Sequence, residues 1–196
     1  MLSPVTHLLY LHGFRSSPKS TKARMVAARV HERHPQVTWW CPQLPPSPKA
    51  AMQLVMDGIA GWPRDSMGVI GSSLGGFYAT YVAAVCDCRA VLLNPAVDPA
   101  RDLRKYIGEQ TSWHEPGERF FFEPGFVDEL RALDAGPLRH PRNFFAVIAK
   151  GDEVLDWREM GARYEGCRIK LLEGSDHALS DFDSHIEEVF EFFGLG

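Results

Sequence analysis

The chain has 196 residues, of which 45% are hydrophobic and 23% are charged. This length predicts one globular domain over residues 1–196, because two domains sharing it would both be very small. The 21 Lys and Arg against 25 Asp and Glu give a net charge of −4, which argues against a nucleic-acid-binding protein. The longest hydrophobic runs, such as residues 144–149, have six residues and are far too short to span a membrane.

The start of the chain has no basic segment before its first hydrophobic run, so we expect no signal peptide and a cytoplasmic protein. The four cysteines show neither a C-x-x-C motif nor the Cys/His spacing of a zinc site. We therefore expect reduced, mostly buried thiols and no metal. Residues 171–196 carry seven acidic residues and no Lys or Arg, a pattern typical of a solvated outer helix face.

Short hydrophobic runs alternate with helical patterns in the first third of the chain. A strand is predicted over residues 8–11 and a helix over residues 23–30, where apolar residues recur at i, i+3, i+4 and i+7. The basic residues of this region are predicted to be solvated: Lys19, Lys22, Arg24, Arg29 and Arg33. A second strand is predicted over residues 37–41. A helix is then predicted to begin with Ser47 as its N-cap and Pro48 in its first turn. This helix should bury Ala51, Leu54 and Val55.

The same alternation continues to the end of the chain. Strands are predicted over residues 67–70, 90–93, 144–149 and 168–172, and helices over residues 74–86 and 157–164. A last helix is predicted to begin with a Ser184–Glu187 capping box and to end at Gly194. Six short strands separated by helices indicate an α/β fold with a mostly parallel sheet covered on both faces.

Residues 97–142 interrupt this alternation with several prolines, glycines and aromatic residues. So long an insertion in a small domain favours a lid or a wall of a binding site. The alternative is that the aromatic residues of this segment simply complete the hydrophobic core.

The sequence GSSLG over residues 71–75 matches G-x-S-x-G, with Ser73 as the central serine. The motif follows a predicted strand and begins a predicted helix, the context in which a strained turn exposes a nucleophilic serine. A phosphate-binding loop is the other use of such a turn. It fits poorly, because the segment lacks both Gly-Lys-Ser/Thr and G-x-G-x-x-G.

A serine nucleophile needs a base and an acid, and in this fold they follow it in the order Asp/Glu, then His. The histidines after Ser73 are His114, His140, His177 and His185. Only His177 lies in the loop after the last predicted strand, where the base is required. The loop after the fifth strand offers Asp152, Glu153 and Asp156. We favour Asp152, because Asp156 is explained as a helix cap, and Asp176 is a weaker candidate beside His177.

The oxyanion that forms during acyl transfer needs two backbone N–H donors. Leu74, which follows the nucleophile, is one predicted donor. Phe14 is the other, because it follows His12 and Gly13 at the end of the first strand, where the glycine allows the backbone to approach the site. The alternative for His12 and Gly13 is an ordinary turn at a strand end.

Several motifs in register resemble the YqiA-like bacterial esterases of the α/β-hydrolase superfamily. They are YLHGFRSSP at residues 10–18, IGSSLGGF at 70–77, LNPA at 93–96, GDEVLD at 151–156 and SDH at 175–177. The resemblance implies a cytoplasmic carboxylesterase or acyl thioesterase without metal or cofactor, with Ser73, Asp152 and His177 as its triad. We expect an α/β-hydrolase sheet in the order 2-1-3-4-5-6, with residues 97–142 as a short lid. The predicted substrate-binding residues are His12, Gly13 and Asn94.

Two other functions remain open from the sequence. A serine peptidase of the same fold would use the same chemistry. A non-catalytic ligand-binding or interaction protein could also be built on this scaffold, although it would be expected to lack a triad member. The predicted partner is a small ester or acyl thioester, with neither nucleic acid nor a membrane span.

Overall fold

The computed structural model describes residues 3–115 and 117–196. Its main sheet has six strands in the order β2-β1-β3-β4-β7-β8, and every neighbouring pair is parallel. The strands are β1 (His7–Leu11), β2 (Thr38–Trp40), β3 (Met67–Ser72), β4 (Arg89–Leu93), β7 (Phe144–Ala149) and β8 (Arg168–Leu172). Counted among themselves, they follow the order 2-1-3-4-5-6, so the predicted fold class is confirmed.

Helices cover both faces of this sheet. They are α1 (Thr21–Arg33), α2 (Pro48–Gly58), α3 (Leu74–Cys86), α4 (Pro99–Asp102), α5 (Phe126–Ala132), α6 (Trp157–Arg163) and α7 (Ile186–Phe192). Successive strand residues point to opposite faces, and this alternation separates two hydrophobic cores. Leu8 and Tyr10 pack with α1 and α7 on one face, whereas Leu9 and Leu11 pack with the other helices on the opposite face.

The insertion between β4 and β7 contains structure that the sequence patterns did not predict. Within residues 97–142, an antiparallel hairpin of β5 (Gly108–Thr111) and β6 (Arg119–Phe122) lies between α4 and α5. Some of its aromatic residues complete the hydrophobic core, and others are exposed as expected for a lid or a binding wall. Phe122 is 1% exposed and belongs to the core, whereas Trp113 and Phe121 are 65% and 53% exposed.

Three local predictions differ from the structure. The Ser184–Glu187 capping box is absent, because Phe182–Ser184 form a 3₁₀ turn and α7 starts after His185 without a side-chain cap. Leu54 is 41% exposed rather than buried, since it lies at the wall of a cavity. Lys22 is less exposed than predicted, since it is half-buried and its ammonium group donates a hydrogen bond to the carbonyl of Ala178.

The acidic end of the chain packs beside basic residues of other elements. Glu187 pairs with Arg29 and Arg33 of α1, and Glu188 pairs with Arg168 and Lys170 of β8. These pairs are partly exposed, so each contributes little to stability. In the described ranges, no helix is both long enough and apolar enough to cross a bilayer.

Candidate active site

Ser73 occupies a strained turn between β3 and α3. Its φ of 55° and ψ of −118° are unusual for a residue with a side chain. Two glycines make the turn possible, because a Cβ at Gly71 would lie 2.0 Å from the carbonyl oxygen of Gly75, and a Cβ at Gly75 would lie 1.9 Å from that of Leu11. Such backbone contacts leave no room for any other residue. The turn holds Ser73 at the carboxyl edge of the sheet, ahead of the α3 N-terminus.

Two further side chains complete a hydrogen-bonded series with Ser73. The Nε2 atom of His177 lies 3.0 Å from Ser73 Oγ, and its Nδ1 atom lies 2.8 Å from Asp152 Oδ2. The Asp152 side chain is fully buried, and its Oδ1 atom accepts hydrogen bonds from the backbone amides of Val154 and Leu155, both at 2.8 Å. The structure therefore brings together the three residues that the sequence pattern selected, and it holds the carboxylate in one orientation.

The loop that carries His177 is fixed by residues of the loop that follows β7. The His177 amide donates to Glu153 Oε2 at 3.0 Å. A Cβ at Gly151 would lie 2.1 Å from the carbonyl oxygen of Ser175, so only glycine lets the two loops approach this closely. Glu153 is therefore not the acid of the series but holds the His177 loop, a role that no local sequence pattern indicates.

The prediction that Asn94 contacts substrate disagrees with its position. Asn94 is 0% exposed, and its side-chain amide donates to the carbonyl oxygens of Asp176 and His177 at 2.9 and 3.2 Å. Its Oδ1 atom accepts from the Ala149 amide at 2.8 Å. Asn94 has a φ of 42°, which asparagine tolerates better than most residues. It joins three strand ends beneath the site and is a positioning residue for the His177 loop.

The two predicted oxyanion donors lie beside Ser73. The backbone amides of Phe14 and Leu74 donate no hydrogen bond to any residue that the structure describes. Leu74 is the first residue of α3, where the helix dipole favours negative charge. Gly13 is tightly placed, because a Cβ there would lie 3.3 Å from both Ser72 O and Ser73 Cβ. Both amides are thus available to a carbonyl oxygen of a molecule attached to Ser73.

His12 supports the segment of residues 12–14 after β1, here called the oxyanion loop because it carries the predicted donor Phe14. It is 4% exposed, its Nε2 atom accepts a hydrogen bond from the Leu44 amide at 3.0 Å, and its Nδ1 atom lies 3.0 Å from the Gly13 carbonyl oxygen. An acceptor Nε2 places the proton on Nδ1, which donates to Gly13. Burial lowers the pKa of His12 from 6.5 to about 4. His12 is therefore neutral at physiological pH and supports the loop as an uncharged residue.

His12 should make the protein less stable in mild acid. The unfolded chain binds a proton at His12 near pH 6.5, but the folded chain does so only near pH 4. The free energy of unfolding should therefore fall as the pH drops through this window, by about 3 kcal/mol from this residue. Urea unfolding at pH 7 and pH 4 measures the loss. The loss should be smaller by that amount in His12→Gln, and a His12→Gln variant with the wild-type pH dependence would contradict the assignment. His31→Gln, at an exposed histidine, is the control.

Two cavities meet at Ser73 and His177. One, of about 200 Å³, is lined mostly by apolar residues such as Leu103 and Leu155, but Arg15, Asp102 and Lys105 also line it. The other, of about 420 Å³, is lined on its far side by the start of α1. Trp113 of the insertion contributes to both. It is held there by the Arg15 guanidinium, 4.1 Å from its ring centroid, and by its amide, which donates to the Arg15 carbonyl oxygen at 2.8 Å.

The other candidate residues lie outside the hydrogen-bonded series. His140 and His185 pair with Asp87 and Asp181, respectively. Asp156 caps α6 through the Arg158 amide, as expected, and Asp176 accepts hydrogen bonds from Ser180. His114 lines the larger cavity. Over residues 3–115 and 117–196, no group of three or more His, Cys, Asp or Glu side chains is placed to hold a metal ion.

The sheet order, and a strained serine turn between the third strand and the following helix, define the α/β-hydrolase class of fold. Residues 7–194 match the model of the Uncharacterised protein family UPF0227. The chain therefore belongs to this family, the YqiA family, and the resemblance drawn from its motifs is confirmed.

Solved structures with the same fold are distant in sequence. A protein from Agrobacterium vitis S4 is 16% identical, with a TM-score of 0.75 over 95% of this chain and 87% of that chain. One of the metagenome-derived lipolytic enzymes LipS and LipT is 16% identical, with a TM-score of 0.72 over 98% and 95%. Mouse alpha/beta hydrolase domain-containing protein 10 is 14% identical, with a TM-score of 0.70 over 97% and 92%. At these identities the likeness concerns the fold.

Proposed function

We propose that this protein is a serine hydrolase that cleaves small carboxylic esters or acyl thioesters. The observation that carries the proposal is the continuous series from Ser73 through His177 to the buried Asp152, with distances of 3.0 and 2.8 Å. A histidine within hydrogen-bond reach of a strained serine, and oriented by a carboxylate, is the arrangement that activates a hydroxyl group as a nucleophile.

The first half of the reaction acylates the enzyme. Ser73 Oγ attacks the carbonyl carbon while its proton passes to His177 Nε2, and Asp152 stabilises the imidazolium that results. The negative charge that develops on the carbonyl oxygen is stabilised by the amides of Phe14 and Leu74. When the tetrahedral intermediate collapses, the bond to the leaving group breaks and His177 gives its proton to the departing alcohol or thiol.

The second half releases the acyl group. Water enters beside His177, which removes a proton as the water oxygen attacks the carbonyl carbon of the acyl-enzyme. Collapse of the second intermediate breaks the bond to Ser73 Oγ, which recovers its proton from His177. The products are a carboxylic acid and an alcohol or thiol.

The surroundings of Ser73 suit a small substrate. Cavities of about 200 and 420 Å³ adjoin it, so one can take the acyl part of an ester and the other its leaving group. Residues 97–142 act in this proposal as a short lid and wall within one domain of residues 1–196. The lipolytic enzyme among the structures of the same fold supports ester chemistry by analogy.

A fluorophosphonate probe tests the proposal directly, because it reacts with an activated serine. We expect one covalent adduct per chain, located on the peptide that contains Ser73 by mass spectrometry. The Ser73→Ala variant should give no adduct, and pre-incubation with an aryl butyrate should slow labelling. Folded wild-type protein that gains no adduct at Ser73 would contradict the proposal. A series of aryl esters and acyl thioesters of increasing chain length would then measure the preferred leaving group.

A further inference from the structure

The larger cavity beside Ser73 is polar on the side away from the insertion. Its volume is about 420 Å³, and its wall there includes Tyr10 of β1 and Ser20, Thr21 and Lys22 at the start of α1. No Asp or Glu occurs among the described residues that line it. Lys22 therefore supplies the one permanent formal charge of this wall. Such a cavity favours a group that carries negative charge.

Lys22 is a partly desolvated cation. Its ammonium group donates to the carbonyl oxygen of Ala178 and forms no ion pair with the described residues. An ammonium group has three donors, so two remain for a ligand. Burial lowers the pKa of Lys22 to about 8, against the opposing influence of Asp176 and Asp152. At neutral pH this side chain is mostly charged and less hydrated than a surface lysine, which strengthens its attraction for an anion.

The hydroxyl group of Tyr10 is an unused donor at the same wall. Tyr10 is 1% exposed, and its Oη atom has no hydrogen-bond partner among the residues that the structure describes. Burial raises the pKa of Tyr10, so the hydroxyl group stays protonated, and its polar neighbours are the hydroxyls of Ser20 and Ser72. A buried hydroxyl without a partner costs stability. It is a donor available to a molecule in the cavity.

The N-terminus of α1 adds positive potential to this wall. The helix has 13 residues, no acidic residue in its first turn and no side-chain hydrogen bond from its N-cap, Ser20. The amides of Thr21, Lys22 and Ala23 donate to no residue in the described part of the chain. The positive end of the helix dipole and these free amides both favour an anionic oxygen group.

We propose that this cavity binds an anionic oxygen group of the substrate, a carboxylate or a phosphate, while the smaller cavity binds the rest of the substrate. The inference rests on the proposed hydrolase activity, since Ser73 and His177 line both cavities. Lys22, Tyr10 and the first turn of α1 would contact the anion. The preferred substrates are thus esters or thioesters whose acyl part or leaving group ends in a negative charge.

Matched ester pairs test this specificity in a pH-stat assay at pH 7. Ethyl pentanoate is compared with monoethyl glutarate for the acyl side. Butyl butyrate is compared with the butyrate ester of 3-hydroxypropionate for the leaving group, and glyceryl butyrate with its 3-phosphate for phosphate. We expect at least one anionic ester to exceed its neutral partner in kcat/KM by about tenfold or more, as a hydrogen-bonded charge contact implies.

Three variants separate recognition of charge from support of the fold. Lys22→Met should reduce the ratio of kcat/KM for the anionic ester to kcat/KM for its neutral partner to near one. This holds even if the loss of the bond to Ala178 slows hydrolysis of both esters. Tyr10→Phe should lower the ratio severalfold while raising Tm by about 2–4 °C, because it removes an unpartnered hydroxyl group. Lys19→Met is the matched control. Lys19 pairs with Glu115 at the surface, and the ratio should stay at the wild-type value.

The outcomes distinguish this inference from the proposed function. Turnover of neutral esters with ratios near one, or an unchanged ratio in Lys22→Met, would overturn the inference and leave the hydrolase intact. If no ester is cleaved and Ser73 takes no probe, the proposed function fails. In that case the cavity is tested by titrating glutarate and inorganic phosphate into the protein. NMR shifts of the Thr21 and Ala23 amides that are absent in Lys22→Met would support anion binding, and no shifts would overturn it.

Discussion

Replacing Ser73 with alanine is expected to lower kcat for ester hydrolysis by about 10⁵- to 10⁶-fold, the loss typical of a removed nucleophile. The reason is that no other hydroxyl group lies within hydrogen-bond distance of His177 Nε2 among the residues that the structure describes. KM should change little, because alanine leaves the cavities and the oxyanion amides in place. Steady-state kinetics with an aryl butyrate measure both constants.

The fold of Ser73→Ala should be intact. Alanine and serine have similar backbone preferences at a φ of 55°, so the strained turn keeps its geometry. Tm should therefore stay within about 2 °C of the wild-type value. Ser66→Ala is the matched control, because Ser66 immediately precedes the opposite end of β3. A Ser73→Ala variant with kcat within tenfold of the wild type would contradict the proposed nucleophile.

The strands of the main sheet could be predicted because they are nearly continuous hydrophobic runs. Residues 144–149 form β7 with the predicted bounds, and all six of its residues are buried. Parallel strands covered on both faces have this composition, and glycines or prolines mark their ends. The hairpin in residues 97–142 could not be predicted in the same way. Its strands have four residues each and only Phe122 of them is buried, so the hydrophobic pattern is too weak.

The candidate site could be predicted where it depends on position relative to strand ends. Ser73, Asp152 and His177 each follow a strand of one parallel sheet, so the topology brings them to the same edge. The supporting contacts depend on side-chain geometry between distant segments. Asn94 donates to Asp176 and His177, which lie 82 and 83 positions later in the chain. Lys22 donates to a carbonyl group that lies 156 positions away. Neither contact leaves a local pattern in the sequence.

The misassignments of Asn94 and Leu54 have a common physical origin. Sequence patterns describe the environment expected for a residue type in its own element, whereas burial is decided by what packs against it. An asparagine after a strand usually faces solvent, but Asn94 is enclosed by the loops after β7 and β8. Leu54 lies on the apolar side of α2 by spacing, yet it faces a cavity beside the oxyanion loop. Both errors concern residues next to the candidate site.

Replacing Asp152 with asparagine should lower kcat by about 10⁴-fold with little change in stability. The expected cause is the wrong tautomer of His177. The amides of Val154 and Leu155 both donate to Asp152 Oδ1, so the single carbonyl oxygen of an asparagine must face them. Its NH₂ group then faces His177 Nδ1 and donates to it. The histidine proton moves to Nε2, which can no longer accept the proton of Ser73.

The opposite orientation of the side-chain amide in Asp152→Asn is excluded by the backbone amides of Val154 and Leu155. It would set an NH₂ group against two backbone N–H donors in a fully buried position, leaving them without acceptors. Asp156→Asn is the matched control, since Asp156 caps α6 and asparagine is an equally good cap. Asp176→Asn tests the neighbouring carboxylate. If either control lost as much activity as Asp152→Asn, or if Asp152→Asn kept kcat within tenfold of the wild type, Asp152 would not be the residue that orients His177.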